Sequence, residues 1–453
     1  TGGTNNFNSA SSTASSTVSD VVATKVIVFT NPTSSVSGVS MTQPVIQFVN
    51  AQNTLDTVAN TDVVTATVLS GGGTVSGTTT STASSGVSTF TALLYVATAD
   101  QQAFVLRFTD DASGTNAFNG TPVDASSTTS NVVATKFLVT LATTTAVAGS
   151  ADTLTLTAAN AGDVTDTGYS ATGKTYTFVD ASSTALSAHV PANTPATAPT
   201  IPSSSTIQAA FSSGVASLTT FTLTKAEVLG TITASDGTLN GTSTSVTVRH
   251  TVASAFVVSA STATPTAGTA FNLTVLARDA SGNTASGANG GTVYASRAFI
   301  STSATTTTPL PVLNPSSYIF VSGDAGTKTL ANAVTLNVVE NGVTITAQNI
   351  DGTITGTVSS LNVSASADTT APTVTNVAAG SITSSSVSIT WTTSETVASS
   401  TIDYGTTLAY GSSNATTTSG TSHTLALTGL TANTTYHFRV KSDDSAGNRN
   451  TQD

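Results

Sequence analysis

Carboxylates are the side chains whose spacing in this chain comes closest to a site, and the chemistry they suggest is cation binding. Local acidic pairs occur at Asp110-Asp111, at Asp163 with Asp166, and at Asp443-Asp444. Calcium takes about six to eight oxygen ligands, several of them from carboxylates, so no pair suffices alone. Asp368 lies ahead of the last segment of the chain and is expected to join Asp443 or Asp444 at a domain junction, where the three would hold Ca²⁺. The competing reading is that these are solvated turn aspartates. No other cofactor is expected.

The remaining polar residues do not assemble into a catalytic pattern. His189, His250, His423 and His437 fall in different segments or on alternating strand positions, and each reads as a surface residue. None has metal-ligand spacing, and there is no cysteine to complete such a set. Serine is abundant, but no G-x-S-x-G elbow sits between a strand and a helix. Gly71-Gly72-Gly73 lacks the Lys and helix that follow a phosphate loop, and reads as a hairpin tip. Lys25 and Lys136 share a register in two early strands, which raises a side-chain amide from Lys25 to Asn119; a solvated strand lysine is the plainer reading. No reaction is expected.

The elements that carry these residues are strands. Charged residues make up only 8% of the 453 residues, against about 25% in ordinary soluble domains. Thr, Ser, Ala, Val and Gly dominate instead, and β-branched side chains fit the pleated surface of a sheet. Net charge is −11 without a basic cluster, which excludes nucleic acid as a partner. No apolar run approaches the ~20 residues of a membrane-spanning helix, so no direct membrane insertion is expected. The absence of cysteine, with so little Lys and Glu, suits the exterior of a prokaryotic cell.

The chain repeats itself. Thr4-Asn5-Asn6-Phe7-Asn8 returns as Thr115-Asn116-Ala117-Phe118-Asn119, and Val22-Ala23-Thr24-Lys25 as Val133-Ala134-Thr135-Lys136. A third start follows at Ala253-Ser254-Ala255-Phe256. Intervals this long match whole domains in tandem rather than solenoid turns. Asp236-Gly237-Thr238 before Gly241-Thr242, and Asp351-Gly352-Thr353 before Gly356-Thr357, are hairpin signals near the ends of the second and third repeats. Pro191 to Pro202 and Pro309 to Pro315 read as surface loops. The expected organisation is an orphan strand over 1–20, sandwiches over 21–131, 132–250 and 251–367, and a last domain over 368–453. The fold class is all-β, a tandem of antiparallel β-sandwiches.

The turn, strand and polar hairpin of Ala267-Gly268-Thr269-Ala270-Phe271-Asn272-Leu273-Thr274-Val275-Leu276-Ala277-Arg278-Asp279-Ala280-Ser281-Gly282-Asn283 resemble bacterial immunoglobulin-like domains of surface and adhesin proteins. The last domain resembles a fibronectin type III domain. Trp391 matches its core tryptophan, Leu430 with Tyr436 its tyrosine corner, and Asp443 to Asn448 the turn before its final strand. Only Arg449 to Asp453 follow that turn, so the domain is expected to lack its last strand. An open groove of this kind invites a donated strand. The segment 1–20 of a neighbouring copy is the expected donor, with Phe7, Ala10 and Val18 entering the groove; the alternative places 1–20 in an upstream domain.

The resemblance implies an extracellular, structural role: a self-assembling subunit of a prokaryotic surface layer or filament, with copies of itself as partners. The alternative is an adhesin stalk, or a carbohydrate-binding accessory region of a larger secreted protein, with cell-surface glycans as partners. Tyr294, Tyr318 and Phe320 are the candidate glycan-facing aromatics. Glycosylation sequons stand at Asn119, Asn240, Asn272, Asn362, Asn414 and Asn433.

Overall fold

A computed structural model describes residues 19–111, 121–193, 196–305 and 308–453. The chain is all-β, and its sheets are built largely from antiparallel strands. Alternation of side chains explains the strands. Lys136–Leu141 buries Phe137 and Val139, and pairs with Ala151–Ala159, which buries Leu154, Leu156 and Ala158 on the same face. The third repeat reproduces this pair as Ala255–Ala260 against Ala270–Arg278, burying Phe256, Val258, Leu273, Val275 and Ala277. A one-residue slip would turn either set to solvent, so burial sets the register.

Apolar side chains collect into four clusters, spanning Ala23 to Ala125, Phe137 to Val248, Phe256 to Val363 and Val374 to Val440. Each repeat's first strand joins one sheet: Lys25–Thr30 with Val45–Val49 and Val87–Thr89, Lys136–Leu141 with Ala151–Ala159 and Val215–Thr222, and Ala255–Ala260 with Ala270–Arg278 and Thr327–Thr335. The hairpin glycines expected from sequence have a packing reason. A Cβ on Gly241 would lie 1.9 Å from the Phe137 carbonyl oxygen, and one on Gly356 would lie 2.1 Å from that of Phe256. The last hairpin thus closes directly over the first strand, and only glycine lets the backbones approach so closely.

Among the described residues one loop recurs six times. An Asx residue ends a strand, its N–H donates to a carbonyl four or five residues on, and its side-chain oxygen accepts the N–H of that same residue. The pairs are Asn50 with Thr54, Asn160 with Val164, Asp180 with Thr184, Asp279 with Asn283, Asn349 with Ile354 and Asp444 with Asn448. The residue three after the Asx is left-handed each time: Asn53, Asp163, Ser183, Gly282, Gly352 and Gly447. The side-chain hydrogen bond offers the backbone a local partner and stabilises the turn.

The structure corrects three expectations. Gly71-Gly72-Gly73 is not a hairpin tip: Val63–Ser70 before it pairs with Gln102–Asp110, and Thr74–Gly77 after it pairs with Leu93–Val96, so the glycines carry the chain between sheets. A helix, Ser204–Ala210, follows the Pro191 to Pro202 loop, capped by the Ser203 hydroxyl and pinned by buried Ile207. At seven residues, about two turns, it is too short to give a helical period.

The third correction concerns the last domain. Two sheets face each other there, Val374–Gly380, Ser386–Val397 and Gly420–Thr428 in one, and Ser412–Thr416, Ser399–Gly405, His437–Asp443 and Arg449–Gln452 in the other. The final strand is therefore present: Arg449–Gln452 pairs with Val440 to Asp443. The tight turn spends few residues and leaves enough chain to add a strand. Phe7, Ala10 and Val18 lie outside the described residues.

Candidate functional site: the domain junctions

Polar side chains with little other explanation gather where one sandwich meets the next. At the first junction, Asp100 sits in the turn between Leu93–Val96 and Gln102–Asp110. One carboxylate oxygen accepts the N–H groups of Val132 (2.6 Å) and Gln101 (2.9 Å). The other accepts the Thr167 N–H at 3.0 Å and its hydroxyl at 2.5 Å, from the second sandwich. Burial raises this carboxyl, but the Thr167 hydroxyl and the three backbone donors outweigh it and hold it below its ordinary value. Asp166, next to Thr167, accepts the Ala134 N–H at 2.9 Å. The connection at 132–134 is thus held from both sides.

The second junction uses the Asp279 loop. Buried Asn283 reaches back to the preceding sandwich, donating from Nδ2 to the Thr224 carbonyl (2.8 Å) and accepting the Ala226 N–H on Oδ1 (2.7 Å). Asn193 donates to the Gly282 carbonyl at 2.8 Å, and the Thr197 N–H donates to the Ser281 carbonyl at 3.1 Å. Buried Asp279 accepts the Thr251 N–H (3.0 Å). His250 is enclosed here: Nε2 accepts the Gly287 N–H at 2.9 Å, and Nδ1 lies 2.8 Å from the Thr251 carbonyl. One ring nitrogen accepts while the other faces an acceptor, the pattern of a neutral imidazole with its proton on Nδ1.

At the third junction Asp368, Glu395 and Asp444 bring one carboxylate oxygen each within 4.8 Å of one another. Asn448 donates from Nδ2 to the Asp368 carbonyl (3.0 Å) and to Asp444 Oδ2 (2.9 Å). Burial raises the Asp444 carboxyl, and the Asn448 side chain with the N–H groups of Asn448, Ala446 and Gly447 brings it below its usual value. It is ionised at neutral pH. Asp368 and Asp444 therefore meet as the sequence suggested. Asp443 does not join them: it pairs with Arg449 at 2.6 and 2.8 Å and accepts the Ser399 hydroxyl at 3.1 Å. Adjacent strand residues face opposite ways, which separates Asp443 from Asp444. Glu395, near the end of the long strand Ser386–Val397, was not legible, because nothing local marks it as a neighbour of Asp368. Three carboxylates match the hard-oxygen preference of a divalent cation, with water completing the set of about six to eight ligands that calcium takes.

Other residues fall elsewhere. His250 and His423 are buried, not surface residues, and His189 is largely enclosed between Glu227 (2.6 Å) and Asp180 (3.6 Å). His423 stacks on Trp391 with ring centroids 5.3 Å apart, and burial lowers its pKa. Lys136 pairs with Asp163 at 2.5 Å; Asn119 lies outside the described residues. Tyr294 and Phe320 are core residues packed on Phe256, and the half-buried Tyr318 donates to Asp324 beneath the Lys328 ammonium. They do not form a glycan-facing platform. Among the sequons, Asn240, Asn362 and Asn433 are exposed, whereas Asn272 and Asn414 are half-buried with their amides engaged.

The family model of the purple acid phosphatase N-terminal domain matches residues 372–452. That domain is itself a fibronectin-like β-sandwich, so the sandwich expected from Trp391 and Tyr436 stands while the family matched is a different one. Among solved structures, the chain is similar to the FdeC adhesin of Escherichia coli, at 18% identity over 76% of this chain and 98% of that one, with a TM-score of 0.27. It is also similar to the FN1–FN3 domains of chicken CNTN1 (14% identity, 70% and 98% covered, TM-score 0.22). A further likeness is to the adhesin InvE of Yersinia pseudotuberculosis (15%, 54% and 66%, TM-score 0.21). No curated protein matches the chain.

Proposed function

We propose that this chain is a structural element of a prokaryotic extracellular assembly, a surface layer or filament, in which tandem β-sandwiches act as a stiff spacer and copies of the chain associate. The observation that supports this reading most is the latching of successive sandwiches. Asp100 and Asn283, both held by several hydrogen bonds, each join the end of one sandwich to a loop of the next. Side chains that bridge two cores restrict rotation about the connection, which a binding module on a flexible tether does not need. With the chain's own Arg449–Gln452 strand in the last sheet, association would rest on sandwich ends and sheet edges rather than on a donated strand. The test is electron microscopy of the purified chain, together with immunogold labelling of intact source cells. Straight particles that associate into ordered arrays, and label on the cell surface, support the reading. Freely bent monomers inside the cell would end it.

Calcium at the third junction belongs to the same proposal: Asp368, Glu395 and Asp444 would hold the cation and stiffen the last joint. Added Ca²⁺ should raise the melting temperature of the wild-type chain and leave Glu395→Gln unmoved; equal responses would remove the cation from the account. A second reading, an accessory region of a larger secreted protein, is favoured by the match of residues 372–452 to the N-terminal domain of an enzyme family.

A further inference from the structure

The last sandwich is open at the pole opposite its acidic junction. Asp368, Glu395 and Asp444 sit at one end, beside the starts of Val374–Gly380 and Ser399–Gly405. At the other end, where Ser386–Val397 begins and Gly420–Thr428 finishes, the two sheets part around a cleft of about 700 Å³. Its inner wall is made of Val387, Ile389, Leu427 and Leu430, with the rings of Tyr404, Tyr436 and Phe438. Tyr404, Tyr436 and Phe438 are only half-buried, although Tyr404 and Phe438 lie on strands and pack against the core. Tyr404 and Tyr436 stand 6.5 Å apart at 49°, two tilted ring faces on one side of the opening. The frame is firm: the Thr431 N–H donates to the Tyr436 hydroxyl at 3.2 Å, and the Leu430 N–H to the Ser385 carbonyl at 2.9 Å.

The lining selects a chemical class. In a chain of net charge −11, this cleft is lined, among the described residues, by no ionisable acid or base other than its two tyrosines. An anion or cation would gain no partner and would lose its hydration. The rim carries the hydroxyls of Ser384, Thr431, Thr434 and Thr435 and the Asn433 amide, neutral donors and acceptors around an aromatic floor. The volume falls within the ~300–1,000 Å³ of small-ligand sites, which combine an apolar wall with a few polar groups. A pyranose has the matching shape: one face of C–H bonds for the rings, and a girdle of hydroxyls for the rim. An apolar protein segment would use the wall but leave the hydroxyl rim facing aliphatic groups.

We infer that this polar-rimmed cleft binds a neutral saccharide, a site separate from the sandwich junctions and independent of the spacer role. The test uses the full chain with soluble neutral tetrasaccharides of β-glucose, β-N-acetylglucosamine and α-mannose. Saturation-transfer NMR would detect contact and calorimetry would measure affinity. Two exposed positions supply variants that leave the cores alone. Thr434→Arg puts a long cation into the mouth, and Ile382→Ser removes the apolar side chain at its edge, which is 74% exposed. Melting curves check that both fold. The expected result is binding of at least one tetrasaccharide, weakened tenfold or more by Thr434→Arg. Absence of binding by all three sugars overturns the inference, as does binding that Thr434→Arg leaves unchanged. Displacement of a fluorescent apolar dye by a Leu/Val-rich peptide but by none of the sugars, with loss on Ile382→Ser, would also overturn it and make the cleft a protein-docking site.

Discussion

At the scale of single residues, the most consequential side chains are buried carboxylates, each held by several donors. Asp236 is the clearest. Its side chain is fully buried, Lys174 lies 2.5 Å away, and the Tyr169 hydroxyl and the N–H groups of Thr238 and Leu239 also donate to it. Burial pushes its pKa up, and these donors pull it down to about 2. A carboxyl depressed on folding contributes stability that is present above its unfolded value, near 4, and is lost as pH falls through the folded value. The wild-type second sandwich should therefore lose about 2 kcal/mol between about pH 4 and pH 2. Asp236→Asn should be less stable at pH 7 and flatter across that window, as followed by the thermal transition at each pH. Asp100 has the same sign. Asp100→Ala removes the acceptor for Val132, Gln101 and Thr167, so backbone N–H groups at the first junction should exchange faster with solvent, by about tenfold or more. Unchanged exchange at Val132 and Thr167 would mean that the latch contributes nothing.

At the scale of elements, the Asx loop recurs in each of the four sandwiches, and a hairpin closes over the first strand in the second and third. A Cβ on Gly356 would lie 2.1 Å from the Phe256 carbonyl oxygen, a distance that real side chains do not occupy. Gly356→Ala should destabilise the third sandwich by about 2 kcal/mol or more, since the strands must separate to admit the methyl group. Limited proteolysis would report this as earlier cleavage within 251–367, with the other sandwiches unaffected. These elements were well marked in sequence: Gly241-Thr242 and Gly356-Thr357 stood out as landmarks because the backbone can approach Phe137 and Phe256 only there. The Ser204–Ala210 helix was not marked, since about two turns on a serine cap are too short for a periodicity to read. The short Arg449–Gln452 strand was missed for a related reason: four residues look like a remnant until Val440 to Asp443 are seen beside them.

At the scale of the whole molecule, the proposed stiffness would depend on junctions that are individually small. Paired substitution of Asp100 and Asn283 by alanine should leave each sandwich folded but free to swing. Small-angle scattering should then show a broader distribution of end-to-end distances than the wild type. An identical profile for both proteins would place stiffness in the connecting segments themselves. No helix among the described residues is long and apolar enough to cross a membrane. The acidic junction shows which neighbours sequence reading brings together and which it misses. Asp368 and Asp444 were legible because each flanks a recognisable boundary, the Ala371-Pro372 connection and the turn before the last strand. Glu395 was not, because it lies near the end of a strand separated from both by dozens of residues.

Alternation of β-branched and polar residues, recurrent turns and long-period repetition determined by themselves that this chain forms tandem β-sandwiches. Each of those signals is local and expresses the same backbone preferences wherever it occurs. Tertiary structure alone decided which acids meet, which histidines are enclosed and where the last core stays open. Those outcomes depend on how two sheets face each other and how one sandwich abuts the next. No spacing along the chain encodes distances between segments that only packing brings together.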